Sequence, residues 1–367
     1  KKFKADESVV ISASHNTFEF NGVKYFSNKG MKIPDELEEE IEEVMDSGKI
    51  NELTAVNDKI GTSEIVTELL DEYVYFFRKN FEEDLERLNR DDFVVAVDTA
   101  NGATSVVADK VFTVLGIKHH ILNDSPNGIN INDGCGSTHL EMLKQYVIDK
   151  KCSLGIAYDG DGDRCLAVDE NGNEIDGDKI IAIISQYLKS KGKLNKDTIV
   201  ATVMSNLGLN KYAKQNELNF VQTKVGDRYV LEEMLKNGYN LGGEQSGHVI
   251  CLDYNPTGDG ILTSLMIIRA ILEQGKKASE VASIMKAYPQ VLINAKVSSD
   301  KKYDFDKDEE IKSAIEKLNK EFDGNGRVLI RASGTEPLVR VMIEGENQEY
   351  IKEKAEKLAK LIEKKLS

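Results

Sequence analysis

Three aspartates stand at alternate positions in Asp159-Gly-Asp161-Gly-Asp163-Arg164. In an extended loop, alternate side chains point the same way. The two glycines let the backbone curl until all three carboxylates reach one ion. Hard oxygen ligands in such a cluster suit Mg²⁺ or Ca²⁺. A calcium EF-hand is a rival reading, because Glu170 falls at its twelfth position. Arg164 opposes it, since the sixth position of that loop requires glycine. The flanks also read as strands rather than helices. A solvated acidic turn is the bland alternative.

Three further loops carry reactive groups. Ser12-Ala13-Ser14-His15-Asn16 follows an apolar strand directly. A serine on a tight loop beside a histidine suits a nucleophile or phosphate carrier, and it equally suits a turn whose side chains cap the backbone. Arg331-Ala-Ser333-Gly334-Thr335-Glu336-Pro337, with Arg340 beyond, offers backbone N–H groups and two guanidinium forks. That is phosphate-cradle chemistry, or else a hairpin loop with exposed arginines. Gly242-Gly243-Glu244-Gln245-Ser246-Gly247-His248 could approach a ligand closely and accept sugar hydroxyls, or could simply turn into a strand. Arg228, in Val225-Gly226-Asp227-Arg228-Tyr229, could add a cation there or begin a helix.

The elements that must hold these loops follow from periodicity. Ser8–Ile11 and Gly22–Ser27 read as strands, and Asp35–Ser47 as a helix after Pro34. Glu64–Arg90 reads as a charged helical stretch. Phe93–Val97, His119–Leu122, Leu154–Tyr158, Cys165–Val168, Thr198–Val203, Phe220–Gln222 and His248–Cys251 read as strands. Helices are expected at Val107–Leu115, Lys179–Lys189, Leu207–Gln215 and Tyr229–Asn237. This alternation predicts α/β units with mostly parallel sheets. The tail differs, with strands at Arg327–Arg331 and Val339–Glu344 and a long amphipathic helix at Gln348–Leu366. The expected divisions are a partial first domain (1–75), second and third α/β domains (76–172 and 173–286) and a smaller α+β domain (287–367).

Composition narrows the function. The chain has 367 residues, 30% of them charged, and a net charge of −15. Such acidity argues against general affinity for nucleic acid or anionic membrane. No apolar run approaches the ~18 residues of a membrane span. The four cysteines (Cys135, Cys152, Cys165, Cys251) form no CxxC pair and suit a reducing cytosol.

Together, in this order, the four loops resemble those of the α-D-phosphohexomutase superfamily, along essentially the whole chain. Asp98-Thr-Ala-Asn-Gly-Ala103 and Asn130-Ile-Asn132-Asp-Gly-Cys135-Gly-Ser-Thr-His139 are most similar to its phosphoglucosamine mutase branch. The resemblance implies a multidomain enzyme with mixed α/β sheets in its first three domains. It implies a phosphoserine at Ser14, and Mg²⁺ held by Asp159, Asp161, Asp163 and a phosphoserine oxygen. Arg331, Ser333, Gly334, Thr335 and Arg340 would hold the substrate phosphate, and Glu244 and Ser246 its hydroxyls. Arg228 would bind substrate as well. Arg164 would act electrostatically. Lys24 would serve in proton transfer, its pKa lowered by crowded cations, with His15 as a second candidate.

The implied reaction interconverts glucosamine 6-phosphate and glucosamine 1-phosphate, with a sugar 1,6-bisphosphate as intermediate and activator. It would serve UDP-N-acetylglucosamine and cell-wall precursor synthesis in the cytoplasm, and it is compatible with a homodimer. Two departures stand out. Thr17 occupies the position of a family proline. The family's first domain normally begins upstream of the position of Lys1, so the resemblance implies early strands and one arginine of the phosphoserine site that this sequence does not contain. Other readings are a phosphomannomutase or phosphoglucomutase, or a non-catalytic sugar-phosphate-binding protein.

Overall fold

A computed structural model describes residues 4–334 and 336–367. They form two compact units. The first comprises residues 4–204 and 217–284, and the second residues 205–216 and 285–367.

The first unit opens with an antiparallel hairpin, β1 (Glu7–Ser12) against β2 (Gly22–Ser27), in register Ser12↔Gly22. The serine loop joins the two strands. Helices α1 (Asp35–Asp46) and α2 (Ile50–Leu53) follow. The expected helix from Glu64 starts only at Leu69 and is broken at Phe81, giving α3 (Leu69–Asn80) and the short α4 (Leu85–Leu88). Phe77 and Phe81 are fully buried, so packing of the aromatic face rather than charge patterning sets these bounds.

Next come β3 (Val94–Asp98), α5 (Ala108–Val114), β4 (Lys118–Leu122), α6 (Glu141–Lys150), β5 (Leu154–Tyr158), β6 (Cys165–Asp169) and β7 (Glu174–Ile175). Their sheet has the order β4-β3-β5-β6-β7. The β4/β3/β5 pairs are parallel, but β5/β6 is antiparallel, with Tyr158 opposite Cys165. The acidic loop is therefore the hairpin connection of this pair. A similar sheet follows, with α7 (Gly177–Ser190), β8 (Thr198–Thr202), β9 (Asn219–Thr223), α9 (Asp227–Asn237), β10 (Leu241–Gly243) and β11 (Val249–Cys251); α8 (Leu207–Gln215), between β8 and β9 in sequence, belongs to the second unit. Its order is β11-β10-β8-β9, parallel except at β10/β11, which the Glu244–His248 turn connects. The expectation of mostly parallel sheets thus fails at the loops that carry the reactive groups.

The unexpected helix α10 (Gly260–Gln274) is buried from Gly260 through Leu272. It has no polar face, because it runs through the middle of the unit. The short α11 (Ala278–Ala282) follows it. No helix among the described residues is long and apolar enough to cross a membrane.

The second unit is an antiparallel sheet, β12-β14-β13, formed by β12 (Gln290–Lys296), β13 (Gly326–Ala332) and β14 (Leu338–Gly345). Helices α12 (Glu309–Phe322) and α13 (Gln348–Leu366) pack on it. Ile351, Ala355, Leu358, Ala359, Ile362 and Leu366 form the buried stripe of α13, at the spacing expected of an amphipathic helix. The strand β12 and helix α12 were not anticipated. Segment 205–216, with α8, belongs to this unit. Asn206 exchanges hydrogen bonds with the backbone of Tyr288, both at 2.9 Å. Fully buried Glu344 accepts the Leu207 N–H at 3.2 Å and pairs with Arg327, which also donates to the Ser205 carbonyl.

One buried carboxylate organises the turns beneath the first unit's site. Asp98 is fully buried at the end of β3. It accepts the Ala100 N–H (2.9 Å), the Gly136 N–H (2.8 Å) and the Asn123 amide (2.9 Å). Ala100 and Asn101 are held at positive φ, 54° and 50°. Gly102 must be glycine, since a Cβ there would lie 2.2 Å from the Gly160 carbonyl oxygen. Asp98→Ala strands two buried donors and the half-buried Asn123 amide, and should cost about 3 kcal/mol or more. Urea unfolding measures this, and a loss under ~1 kcal/mol would contradict the scaffold role.

Candidate active site

The serine loop is fastened to the metal loop through its backbone. Ser14 sits at φ +54°, a left-handed conformation that costs a non-glycine residue about 1 kcal/mol. Its N–H donates to Ser12 Oγ at 2.8 Å. Its carbonyl accepts the Gly160 N–H at 3.1 Å and the Asn132 amide at 2.9 Å. The Ser14 hydroxyl lies 3.4 Å from His15 Nδ1. Burial, then the nearby Arg164 guanidinium, holds the His15 imidazole below its ordinary pKa.

Asp159, Asp161 and Asp163 each present an oxygen within 4.8 Å of the others. Asp159 Oδ2, Asp161 Oδ1 and Asp163 Oδ1 are buried and have no hydrogen-bond partner among the described residues. Burial, followed by repulsion from Asp163 and Asp161, pushes the Asp159 carboxyl up to about 8. Three clustered carboxylates with buried, unpartnered oxygens fit a hard divalent cation. Arg164 sends its backbone N–H to Asp159 Oδ1 at 3.1 Å, and its Nε lies 3.9 Å from Asp159 Oδ2. The N-terminus of α10 braces the loop, with the Gly260 N–H donating to the Gly162 carbonyl at 2.8 Å.

Lys24, projecting from β2, pairs with Asp161 and lies 3.5 Å from Asp163. The expected lowering of its pKa by crowded cations is not what its surroundings produce. Burial does pull it down, but Asp163, Asp161 and Asp159 outweigh that, and Lys24 is held above its ordinary value. It is the resident counter-charge of the acidic loop.

The third-domain residues separate. Glu244 Oε1 accepts the Gly226 N–H at 3.1 Å, and Ser246 is exposed. Arg228 turns away from them, pairing with Asp35 and the Ile33 carbonyl and lying 3.9 Å from Glu38. Its neighbour Asp227 takes Lys32 at 2.6 Å.

Residue-by-residue reading missed His248. It is 4% exposed, and neither ring nitrogen has a hydrogen-bond partner among the described residues. Its Nε2 lies 3.6 Å from Asp227 and 3.9 Å from Asp163. The backbone seats it beside the metal loop, through the Arg164–His248 bridge and the Cys165 N–H donating to Gly247 at 3.0 Å. The signal is the Gly-Glu-Gln-Ser-Gly-His run, which places His248 at the end of a candidate ligand loop without giving it a role of its own.

In the second unit, Arg331 and Arg340 are directly opposite on β13 and β14. Burial, then Arg340, depresses the Arg331 guanidinium. Like charges at opposed positions destabilise a sheet, and Arg340 lies 3.7 Å from Glu336, which offsets part of that charge. Ser333 is buried, and its Oγ accepts the Glu336 N–H at 3.3 Å. Nothing lies within 4 Å of a Cβ built on Gly334. Thr335 lies outside the described residues.

These features meet a set of family models that runs the length of the chain. Residues 1–52, 71–172 and 176–288 match α/β/α domains I, II and III of phosphoglucomutase/phosphomannomutase. Residues 292–361 match its C-terminal domain. The chain belongs to this family of phosphohexose mutases, and it is an enzyme of the isomerase class. Among curated relatives, the phosphoglucosamine mutase of Clostridium tetani is 51% identical over 365 residues, covering 100% of this chain and 80% of that one. That of a Clostridium botulinum strain is 53% identical over 369 residues, covering 100% and 81%.

Solved structures share the fold at low identity. Aspergillus fumigatus N-acetylphosphoglucosamine mutase, in complex with GlcNAc-6P and magnesium, aligns with a TM-score of 0.77 at 19% identity. The alignment covers 98% of this chain and 89% of that one. A putative phosphomannomutase from Thermus thermophilus gives 0.73 at 21%, covering 99% and 79%.

The raised Asp159 pKa has a thermodynamic consequence. The folded, metal-free chain holds that proton more tightly than the unfolded chain does. Stability should therefore fall as pH rises from the ordinary carboxylate range towards about 8. Melting midpoints in chelator should decline from about pH 5 to about pH 8, and saturating Mg²⁺ should flatten the decline. Equal slopes with and without Mg²⁺ would refute the cation reading.

Proposed function

We propose that this enzyme interconverts glucosamine 6-phosphate and glucosamine 1-phosphate, with Ser14 carrying a phosphoryl group between substrate and bisphosphate. The observation that carries the proposal is the serine loop bonded through the Ser14 carbonyl to Gly160, in the loop whose three aspartates hold buried, unpartnered carboxylate oxygens. Identity of 51–53% to phosphoglucosamine mutases along the whole chain supports the amino sugar. Asp159, Asp161 and Asp163 would hold Mg²⁺, which when bound supplies positive charge opposite the anionic transferring group.

The residues then divide the work. The P–O bond to Ser14 Oγ breaks as a sugar hydroxyl bonds to the phosphorus, and the proton that hydroxyl gives up ends on Ser14 Oγ. His15 Nδ1, kept neutral, is the nitrogen base beside that oxygen. Protonated Lys24 and Arg164 balance the charge, and His248 stands at the junction of the serine-side and sugar-side loops. Glu244 and Ser246 would receive sugar hydroxyls. Arg228 would join them after leaving Asp35. Arg331 and Arg340, with Ser333, Gly334 and Thr335, would hold the substrate's own phosphate. The sugar 1,6-bisphosphate turns over between two transfers and restores phosphoserine. A cytoplasmic role in supplying amino-sugar 1-phosphate for UDP-N-acetylglucosamine fits this chemistry.

Turnover of glucosamine 1-phosphate beside glucose 1-phosphate, with Mg²⁺ and a trace of sugar bisphosphate, tests the assignment. Strong preference for the amino sugar is expected. Preference for glucose would move the substrate to the phosphoglucomutase class. Ser14→Ala should lower kcat by about 10³-fold or more with little change in substrate binding. Arg340→Ala should raise KM roughly tenfold or more, with a smaller effect on kcat.

A further inference from the structure

The stretch Asn130–His139 contributes no reactive group to the mechanism above, yet one of its side chains reaches the serine loop. Asn132 is 2% exposed and sits at φ +56°. Its Nδ2 donates to the Ser14 carbonyl at 2.9 Å and to the Asn16 carbonyl at 2.7 Å. Both amide hydrogens are thus spent on carbonyls that bracket His15. These two bonds fix the amide's orientation, because the oxygen would meet two acceptors if the group were turned over. The remaining Oδ1 is buried without a partner among the described residues, a cost accepted to keep that orientation.

Asn132 is itself held rigidly. Its N–H donates to the Ala100 carbonyl at 3.0 Å, and Ala100 is pinned by buried Asp98. Asp98 also takes the Gly136 N–H, from the far side of the same loop. A continuous line of buried hydrogen bonds therefore runs from the end of β3 to the reactive loop. Its endpoint is the left-handed Ser14. A residue in that conformation persists only where its surroundings over-determine it.

We propose that Asn132 is a positioning residue for Ser14, clamping the loop so that the hydroxyl faces the acidic triad. The proposal rests on Ser14 being the phosphate carrier. Asn132 touches neither phosphate nor sugar, so it should act on kcat rather than on substrate affinity. A displacement of about 1 Å at the reacting atom can cost roughly 100-fold in rate.

The test is Asn132→Asp, which keeps volume and tolerates positive φ but replaces both donors with acceptors. The expected result with glucosamine 1-phosphate is a kcat roughly 100-fold lower and a KM within about threefold of wild type. Asn127→Ala is the control for loosening the same loop. Asn127 Oδ1 caps the Ile129 N–H at 3.0 Å, a bond within its own loop, so kcat should hold. A kcat for N132D within about threefold of wild type overturns the proposal. So does an equal kcat loss in N127A.

If N132D does not fold, Asn132→Ser, which retains one donor, carries the test with an expected loss of about tenfold. Intact mass after incubation with glucose 1,6-bisphosphate reports Ser14 phosphorylation, expected to be slowed in N132D and absent in S14A. Turnover by S14A would overturn the phosphoserine reading itself, whereas an inactive S14A beside a fully active N132D would overturn only the clamp.

Discussion

Three carboxylates held within 4.8 Å of one another cannot all be ionised in a buried site without a cation. Much of the first unit answers that constraint. Lys24 is brought in from β2 to offset part of the charge, and Arg164 lies along its edge. Burial, with repulsion from Asp163 and Asp161, raises the carboxyl of Asp159, the deepest of the three. The N-terminus of α10 abuts the loop, where its partial positive charge is favourable. The serine loop is tied to the same loop through Gly160, so the acceptor and its counter-charge are placed by one piece of backbone. An active site assembled around unfavourable electrostatics needs such rigid supports, and the Asp98 turns supply them.

All four reactive loops turn out to be hairpin connections: β1/β2, β5/β6, β10/β11 and β13/β14. An antiparallel pair brings both ends of a short loop to one sheet edge. That lets a loop of five to nine residues present several side chains in one direction. The parallel portions of the sheets set the framework, and the antiparallel additions carry the chemistry.

This division explains what could be seen in the sequence. Loops dense in Asp, Gly, Ser and Arg declare themselves, and Asp159–Arg164 and Ser12–Asn16 are adjacent in the fold, as the family resemblance implied. Amphipathic elements such as Gln348–Leu366 were legible to the residue. The helix Gly260–Gln274 was not, because an element buried on every side has no period to detect. Strand β12 and helix α12 were passed over in a charged stretch, although α12 has an apolar stripe at Ile311, Leu318 and Phe322. Partners distant in sequence were the least legible. No local pattern announces that Lys24 meets carboxylates rather than cations, that Arg228 pairs with Asp35, or that Asn132 reaches 118 residues back to Ser14.

The second unit draws α8 out of the middle of the neighbouring sheet's sequence. A gene cut between residues 216 and 285 would therefore yield a C-terminal fragment lacking one of its own walls. Glu344 would lose the Leu207 N–H, Arg327 would lose the Ser205 carbonyl, and Tyr288 would lose Asn206. Recombination between relatives at such a point would exchange the sheet and its helices while leaving behind the helix they were shaped against. The exchangeable module is discontinuous in the gene. Shuffling should respect it only when the 205–216 segment travels with the tail.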